Sequence, residues 1–275
     1  MEQYPELWDD DYTYMGGGKG AASRAFRHMY WPGGFFVPAP KGSKLPVLKK
    51  KILGAAPERA ELFYRLSREA FSKGHPYWGA RFLAWSLHYL EDLTQPFHAA
   101  QVPVITVFGN LMPDPEFIRL MPGGAEIDLE ATTRLIAYLH LAIDAYPARA
   151  ASGTLGPETG SRMQSAILGS DAQTGFSGPR ELAREAARLA YEQMLRGAGK
   201  KTIGFFPKIT EELARDAWGG VQREEFWKGI VSQQNVYPAK ADAFLAFMES
   251  LFKPGGAKIR ACVLNAVPPP AVAAQ

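Results

Sequence analysis

The chain has 275 residues, of which 47% are hydrophobic, enough for one large domain or two modest domains with a sizeable core. Its formal charge of +3 is too small a bias to indicate a nucleic-acid or anionic-membrane partner by itself. The single cysteine, Cys262, excludes an intrachain disulfide framework and leaves the redox compartment open. No apolar run is long enough to predict a membrane-spanning helix.

The first 45 residues lack sustained periodicity and predict a loop-rich arm with a short helix over residues 21–28. The first eight residues have neither the positive flank nor the apolar core of a signal peptide. Either the protein is not exported by that route, or the chain begins inside a longer gene. The glycine-rich residues 16–20 predict a flexible turn, because no strand precedes them and no Walker pattern follows. The lysines within residues 41–51 indicate a solvated face.

Two helices are predicted next, over residues 57–72 and 77–93, from the helical spacing of their apolar side chains. The second is apolar nearly all round, as a buried central helix requires. It carries His88 and Asp92, which stand four residues apart and therefore share one helix face. This is the geometry of a metal-binding pair, although ordinary helix-stabilising contacts have the same spacing. Gln95-Pro96 predicts the end of the helix, so that His98 follows a fixed turn.

Residues 99–125 form a long apolar connection with a strand-like run at residues 102–107. We interpret it either as a lip or lipid-contacting flap over an active site, or as a segment that folds into the core. A helix over residues 127–146 then carries His140 and Asp144, which repeat the spacing of His88 and Asp92. Further helices are predicted over residues 180–195, 210–218, 222–232 and 240–252.

The elements together predict an all-α fold. A single multi-helix domain, residues 1–255, is expected. Residues 256–275, which include three consecutive prolines at residues 268–270, are predicted to form a disordered tail.

Residues 88–100, His-Tyr-Leu-Glu-Asp-Leu-Thr-Gln-Pro-Phe-His-Ala-Ala, resemble the zinc-binding core of the zinc-dependent phospholipase C family. That family shares an all-helical fold with the fungal single-strand-specific nucleases. The resemblance implies a metal cluster between the central helices, with one zinc site of His28, His88 and Asp92 that is completed by an aspartate near the amino terminus. It implies a second site of His98, His140 and Asp144. The fifth histidine, His75, is predicted to be a loop residue.

The missing aspartate of the first site lies in the run Asp9-Asp10-Asp11. Asp11 is favoured because Asp11-Tyr12 resembles the Asp-Tyr pair of the family, and Asp10 is the alternative. Two features depart from the family pattern. The interval from His98 to His140 is longer than in the relatives, and no segment matches the amino-terminal helix that supplies ligands to a third zinc. Two or three zinc ions are therefore expected, in a chain that is truncated, works with two metals, or binds zinc without turnover.

The resemblance implies a zinc-dependent phosphodiester hydrolase, in which a metal-activated water attacks the phosphate of a phospholipid. Asp11 is then the candidate to orient or deprotonate that water, and Tyr12 the candidate to bind a quaternary ammonium head group. Contact with a membrane surface is a further expectation. The resemblance implies a secreted or periplasmic location, whereas the first eight residues do not resemble a signal peptide, so the location is left open. A nuclease of the same superfamily and a non-catalytic zinc-binding helical protein stay open as alternatives. No nucleic-acid partner is favoured, and the oligomeric state is left open.

Overall fold

The computed structural model describes residues 27–37, 47–107, 110–115, 129–169 and 173–267. Asp9, Asp10, Asp11 and Tyr12 lie outside these ranges. The described part of the chain is all-α, as predicted, with two short antiparallel strand pairs and the following helices: α1 Ala56–Ser72, α2 Pro76–Asp92, α3 Pro96–Ala99, α4 Leu129–Ala151, α5 Pro157–Leu168, α6 Pro179–Leu195, α7 Ala198–Phe205, α8 Glu211–Arg215, α9 Ala217–Gln222, α10 Glu224–Val236 and α11 Pro238–Ala266. Within these ranges, no helix combines the length and apolarity needed to cross a membrane.

The two strand pairs lie on either side of α1–α3 in the chain. β1 Phe35–Val37 pairs with β2 Val47–Lys49, and β3 Val104–Val107 pairs with β4 Asn110–Pro113. The strand predicted at residues 102–107 is confirmed, whereas β1, β2 and β4 were not predicted. Gln101 connects the two regions, because its amide accepts a hydrogen bond from Phe36 N and donates one to Phe36 O. The Gln101 side chain thus pairs with the Phe36 backbone as a neighbouring strand would, and it holds β1 beside the segment that follows α3.

Helices α1 and α2 form a close antiparallel hairpin. Pro57 lies in the first turn of α1, Gly74 adopts a positive φ of 73° in the connection, and Pro76 begins α2. Two buried serines fasten the helices together: Ser67 Oγ donates to Gly79 O at 2.7 Å, and Ser86 Oγ donates to Ala60 O at 2.7 Å. Small side chains at the contact let the backbones approach closely. The rotation of α2 is thereby fixed, and with it the face that carries His88 and Asp92.

The main core lies between α4, α5, α7 and α9–α11. Its fully buried side chains include Ile143, Tyr146, Met163, Trp227 and Met248. Ile143 and Tyr146 turn one face of α4 inward. His140 and Asp144 lie on a different face of the same helix, because successive residues are about 100° apart around an α-helix of 3.6 residues per turn. Burial of Ile143 and Tyr146 therefore fixes the rotation of α4, and with it the direction in which His140 and Asp144 project.

Several helix boundaries differ from the prediction. The predicted segment 210–218 is divided at Asp216, whose side chain caps α9, and α5 and α7 were not predicted. Helix α11 continues through Pro254, Gly255 and Gly256 to Ala266, so the predicted tail is corrected over residues 256–266. The glycines leave no room for a side chain: a Cβ at Gly255 would strike Thr94, and one at Gly256 would strike the backbone of Ile167. Residues 268–275 lie outside the described ranges.

Candidate metal centre

A buried turn between α2 and α3 positions the candidate ligands. Helix α2 ends at Asp92, and Gln95 forms the N-cap of α3 by accepting a hydrogen bond from Phe97 N through its side chain. Pro96 occupies the first position of α3, where its missing N–H costs nothing. The whole turn is buried, with Leu93, Gln95 and Phe97 each at most 2% exposed. His98 therefore projects from a rigid support, as the Gln-Pro motif predicted.

The first triad consists of His28, His88 and Asp92. His28 Nδ1 lies 2.7 Å from Asp92 Oδ2 and 3.2 Å from His88 Nε2. His88 Nε2 lies 3.5 Å from the same carboxylate oxygen. The i,i+4 pair of α2 thus meets a histidine from a segment 60 residues earlier in the chain. The side chain of His88 is 52% exposed, so this triad opens to solvent.

The second triad consists of His98, His140 and Asp144. His140 Nε2 lies 2.8 Å from His98 Nε2 and 2.9 Å from Asp144 Oδ2. His98 Nε2 lies 3.5 Å from that oxygen. The His98 side chain is only 6% exposed, whereas that of Asp144 is 38% exposed. The i,i+4 pair of α4 therefore closes around a buried histidine and leaves its carboxylate on the open side.

A hydrogen bond between the triads fixes the tautomer of His98. His98 Nδ1 lies 2.6 Å from the backbone carbonyl oxygen of His28, and a carbonyl can only accept, so Nδ1 carries the hydrogen. When the ring is neutral, its Nε2 lone pair faces His140 and Asp144, as a metal ligand requires. The backbone also joins the segments, because Tyr30 N donates to His98 O at 3.0 Å. His28 contributes its ring to one triad and its carbonyl to the other.

Gln95 supports the second triad. Its Nε2 donates to Asp144 Oδ1 at 2.8 Å, which occupies one carboxylate oxygen and leaves Oδ2 directed at the histidines. Because Gln95 is 2% exposed and its other amide atom caps α3, its orientation is determined. The sequence predicts Gln95 only as part of a helix-ending turn. Its position inside the resembling motif was the available signal for this supporting role.

Charge pairing dominates the titration of the second triad. Burial lowers the pKa of His98, but the Asp92 and Asp144 carboxylates and the bond to His28 O outweigh it and raise that pKa to about 9. Burial raises the pKa of Asp144, whereas His140 and His98 hold it well below its usual range. Asp144 is thus desolvated although partly exposed, as expected of a carboxylate inside a concave site. Asp92 belongs to the first triad yet acts on His98, so the two triads share one electrostatic environment.

Two further side chains adjoin the triads without having been singled out in the sequence. The ring of Tyr89 lies 5.0 Å from that of His28 and 5.5 Å from that of His88, centroid to centroid, and restrains both imidazoles. Glu91 is exposed, but local desolvation and the Asp92 and Asp144 carboxylates raise its pKa. His75 is the N-cap residue of α2 and belongs to neither triad, in agreement with its prediction as a loop residue.

The donor sets suit a zinc ion. Imidazole nitrogens and a carboxylate oxygen are typical ligands of zinc sites that keep an open position, and ligand atoms of a tetrahedral zinc lie roughly 3.3 Å apart. The corresponding separations are 2.7–3.5 Å in the first triad and 2.8–3.5 Å in the second. Both triads therefore need only small shifts to bind an ion. Their membership matches the grouping that the resemblance implied, while the metal itself stays a prediction.

The described part of the chain is thus all-α and contains two neighbouring His/His/Asp triads, each able to hold a metal ion. Comparison of the chain with protein-family models, curated proteins and solved structures gave no match. The chemistry of the triads is therefore the basis for a functional proposal.

Proposed function

We propose that this protein is a zinc-dependent phosphodiester hydrolase of the phospholipase C type, with a phospholipid as its substrate. The observation that carries the proposal is the adjacency of the two triads, joined through His28. Neighbouring metal sites suit phosphodiester hydrolysis, because that reaction builds negative charge around the phosphorus while a water must be activated nearby. The resemblance of residues 88–100 to the phospholipase core supports a lipid over a nucleic acid.

When bound, zinc ions would supply Lewis-acid stabilisation of the phosphate charge. The chain holds their ligands in place: His28 O fixes the His98 ring, and Gln95 fixes the Asp144 carboxylate. The exposed edges of His88 and Asp144 leave an approach for a phosphodiester. We retain Asp11 as the group that orients or deprotonates the attacking water and Tyr12 as the head-group contact; both lie outside the described residues. The described triads provide for two ions.

The proposal is tested on the full chain by measuring zinc content and hydrolysis together. Elemental analysis is expected to give two zinc ions for each chain. A soluble phosphorylcholine ester and a phosphatidylcholine should both be hydrolysed, and a chelator should abolish turnover. His98→Ala and His140→Ala are expected to lose zinc and activity. His75→Ala is the matched control, because it removes an exposed histidine outside both triads.

Three results would contradict the proposal. Full activity after removal of zinc would exclude metal-dependent chemistry at the triads. Bound zinc without turnover of any phosphodiester would indicate a structural role for the metal. Cleavage of single-stranded DNA without cleavage of lipid would favour the nuclease alternative.

A further inference from the structure

Helix α2 is not buried on all sides, contrary to the prediction from its apolar side chains. It exposes a row of aromatic side chains on the face that leads to the first triad. Trp78, Arg81, Trp85 and His88 are spaced three, four and three residues apart, so they lie along one side of the helix. Trp78 is 49% exposed, Trp85 is 39% exposed, and Tyr77 beside them is 64% exposed. From Tyr77 to His88 the row extends about 16 Å at 1.5 Å per residue. We call these five residues the aromatic row.

Ring contacts make the row continuous with the metal centre. Trp78 contacts Phe82, Phe82 contacts Trp85, and Trp85 contacts Phe63 of α1, at centroid distances of 5.8, 5.6 and 5.2 Å. Phe63 stacks on Tyr89 at 5.8 Å, and Tyr89 touches both histidines of the first triad. Packing from beneath thus holds the exposed indole rings in fixed positions, so little conformational entropy remains to be lost when they bind a surface.

Arg81 gives the row a positive charge. Its guanidinium lies 5.9 Å from the Trp78 ring centroid and 5.4 Å from that of Trp85, and its NH1 donates to Tyr77 Oη at 3.0 Å. Within the described ranges it has no carboxylate partner, in contrast to Arg149, Arg162, Arg184 and Arg223, each of which forms an ion pair. A cation held between two indole rings is complementary to a phosphate at an interface that is apolar on one side.

We propose that the aromatic row is the surface by which the protein docks on a phospholipid layer, with Arg81 contacting lipid phosphates. The inference rests on the proposed function and specifies how a substrate held in a lipid surface reaches the metals. Trp and Tyr favour the boundary between head groups and acyl chains, because each combines an apolar ring with a polar group. His88 lies three residues beyond Trp85 on the same face, so docking would bring the first triad to the head-group layer.

The composition of the row favours lipid over single-stranded nucleic acid. Platforms for single strands combine stacking rings with a positive groove that follows the backbone. Here a single arginine accompanies three exposed rings. Within the row, the neighbouring rings of Tyr77 and Trp78 also pack edge to face at 78°, so these two rings do not form a parallel slot for a base.

The test is sedimentation of the zinc-loaded full chain with sucrose-loaded vesicles of non-hydrolysable phosphonate analogues of phosphatidylcholine and phosphatidylglycerol. The double variant Trp78→Ala/Trp85→Ala is expected to lower the partition coefficient at least about tenfold. Trp218→Ala is the matched control, because Trp218 is 63% exposed on α9, away from the row, and its binding should equal that of the wild type. Arg81→Glu changes an exposed residue and should weaken binding to vesicles that contain the phosphatidylglycerol analogue. Zinc content and circular dichroism verify that each variant is folded.

Absence of vesicle binding by the wild type would overturn the inference, as would equal binding by the double variant and Trp218→Ala. Binding of a single-stranded oligonucleotide that depends on the row, without vesicle binding, would identify it as a stacking platform instead. Hydrolysis of the soluble phosphorylcholine ester distinguishes the two proposals. If that ester is hydrolysed and vesicles are not bound, the docking surface fails and the proposed function stands; the reverse result rejects the function and retains a lipid-binding surface.

Discussion

The Nδ1 atom of His98 lies 2.6 Å from the backbone carbonyl oxygen of His28, so each triad depends on the same short segment. The dependence is asymmetric. A substitution of the His28 side chain keeps the carbonyl in place, whereas a substitution of His98 removes a ligand of the second triad and the bond that orients His28.

His28→Ala is therefore expected to release one zinc ion and leave the second site near wild-type affinity. His98→Ala should empty the second site and also weaken the first by about tenfold, the lower end of the effect of losing an orienting hydrogen bond. Zinc competition with a chromogenic chelator measures both affinities in each variant. Independent behaviour, with a first site unaffected by His98→Ala, would contradict the coupling.

Gln95→Glu tests the support of Asp144. The substitution replaces the amide that donates to Asp144 Oδ1 with a carboxylate that repels it. We expect a loss of zinc affinity at the second site of about 10–100-fold, as is typical for groups that orient metal ligands. Gln222→Glu introduces the same charge at an exposed position of α9 and is the control. Unchanged zinc affinity in Gln95→Glu would show that Asp144 is held by other contacts.

The stability of the zinc-free protein should fall at alkaline pH. The pKa of His98 is raised from 6.5 to about 9 in the folded chain, because the Asp92 and Asp144 carboxylates outweigh burial. The contribution of His98 to the free energy of unfolding is on the order of 3 kcal/mol. It is complete below pH 6.5 and is lost as the pH rises through about 9. Denaturant unfolding of chelator-treated protein across this window measures the change.

The pairing of Asp144 with the two histidines should also make the zinc-free protein less stable at acidic pH. Because the pKa of Asp144 is depressed, its contribution is present above its usual value of 3.8 and is lost as the pH falls through the depressed value. Asp144→Asn removes the charge that protonated His98 faces and should flatten the alkaline decline. A zinc-free protein that gains stability between pH 6.5 and 9 would contradict the assignment.

Truncation after residue 255 should destabilise the helix that carries the first triad. The removed part of α11 includes Ala261, Cys262 and Ala266, which form one buried cluster with Leu83 and Leu90 of α2. We expect a loss of at least about 3 kcal/mol in the free energy of unfolding, comparable to the removal of a large core side chain. Removal of residues 268–275 alone leaves α11 intact and is the control. Equal stability of the two truncated forms would contradict this role.

Sequence patterns predicted the all-α class and the helices whose apolar spacing is regular. The spacing of His88 and Asp92, and of His140 and Asp144, was sufficient to predict one shared face for each pair, because helix geometry alone determines it. That His28 joins the first pair depended on the resemblance, since no local pattern places a residue 60 positions away. The roles of Gln95 and Tyr89 depend on tertiary contacts, which no periodicity specifies.

The continuation of α11 was not predictable from local preferences. Pro254, Gly255 and Gly256 disfavour a helix interior, and together they predict an end. Packing reverses that preference, because the absence of side chains at Gly255 and Gly256 lets α11 lie directly against Thr94 and the end of α5. Thr94 belongs to the turn that positions His98. Gly255 and Gly256 thus make the continuation of α11 unpredictable from the sequence, and they also let α11 pack against the turn that positions His98.

The long separation between His28 and the α2 pair gives a bound ion a mechanical role. A metal at the first triad would fasten residues 27–31 to the helical body across a loop of 60 residues, as a cross-link does. The segment is also held by backbone bonds, including Trp31 N to Leu53 O and Ala56 N to Met29 O, by the bond from His98 to His28 O, and by the buried side chains of Met29 and Trp31. Loss of the ion would then remove one of the contacts that hold this segment, and a protease should cut it more readily while the helices remain folded. Under the proposed function, the metal content of the enzyme would thus also affect how readily residues 27–31 are cleaved.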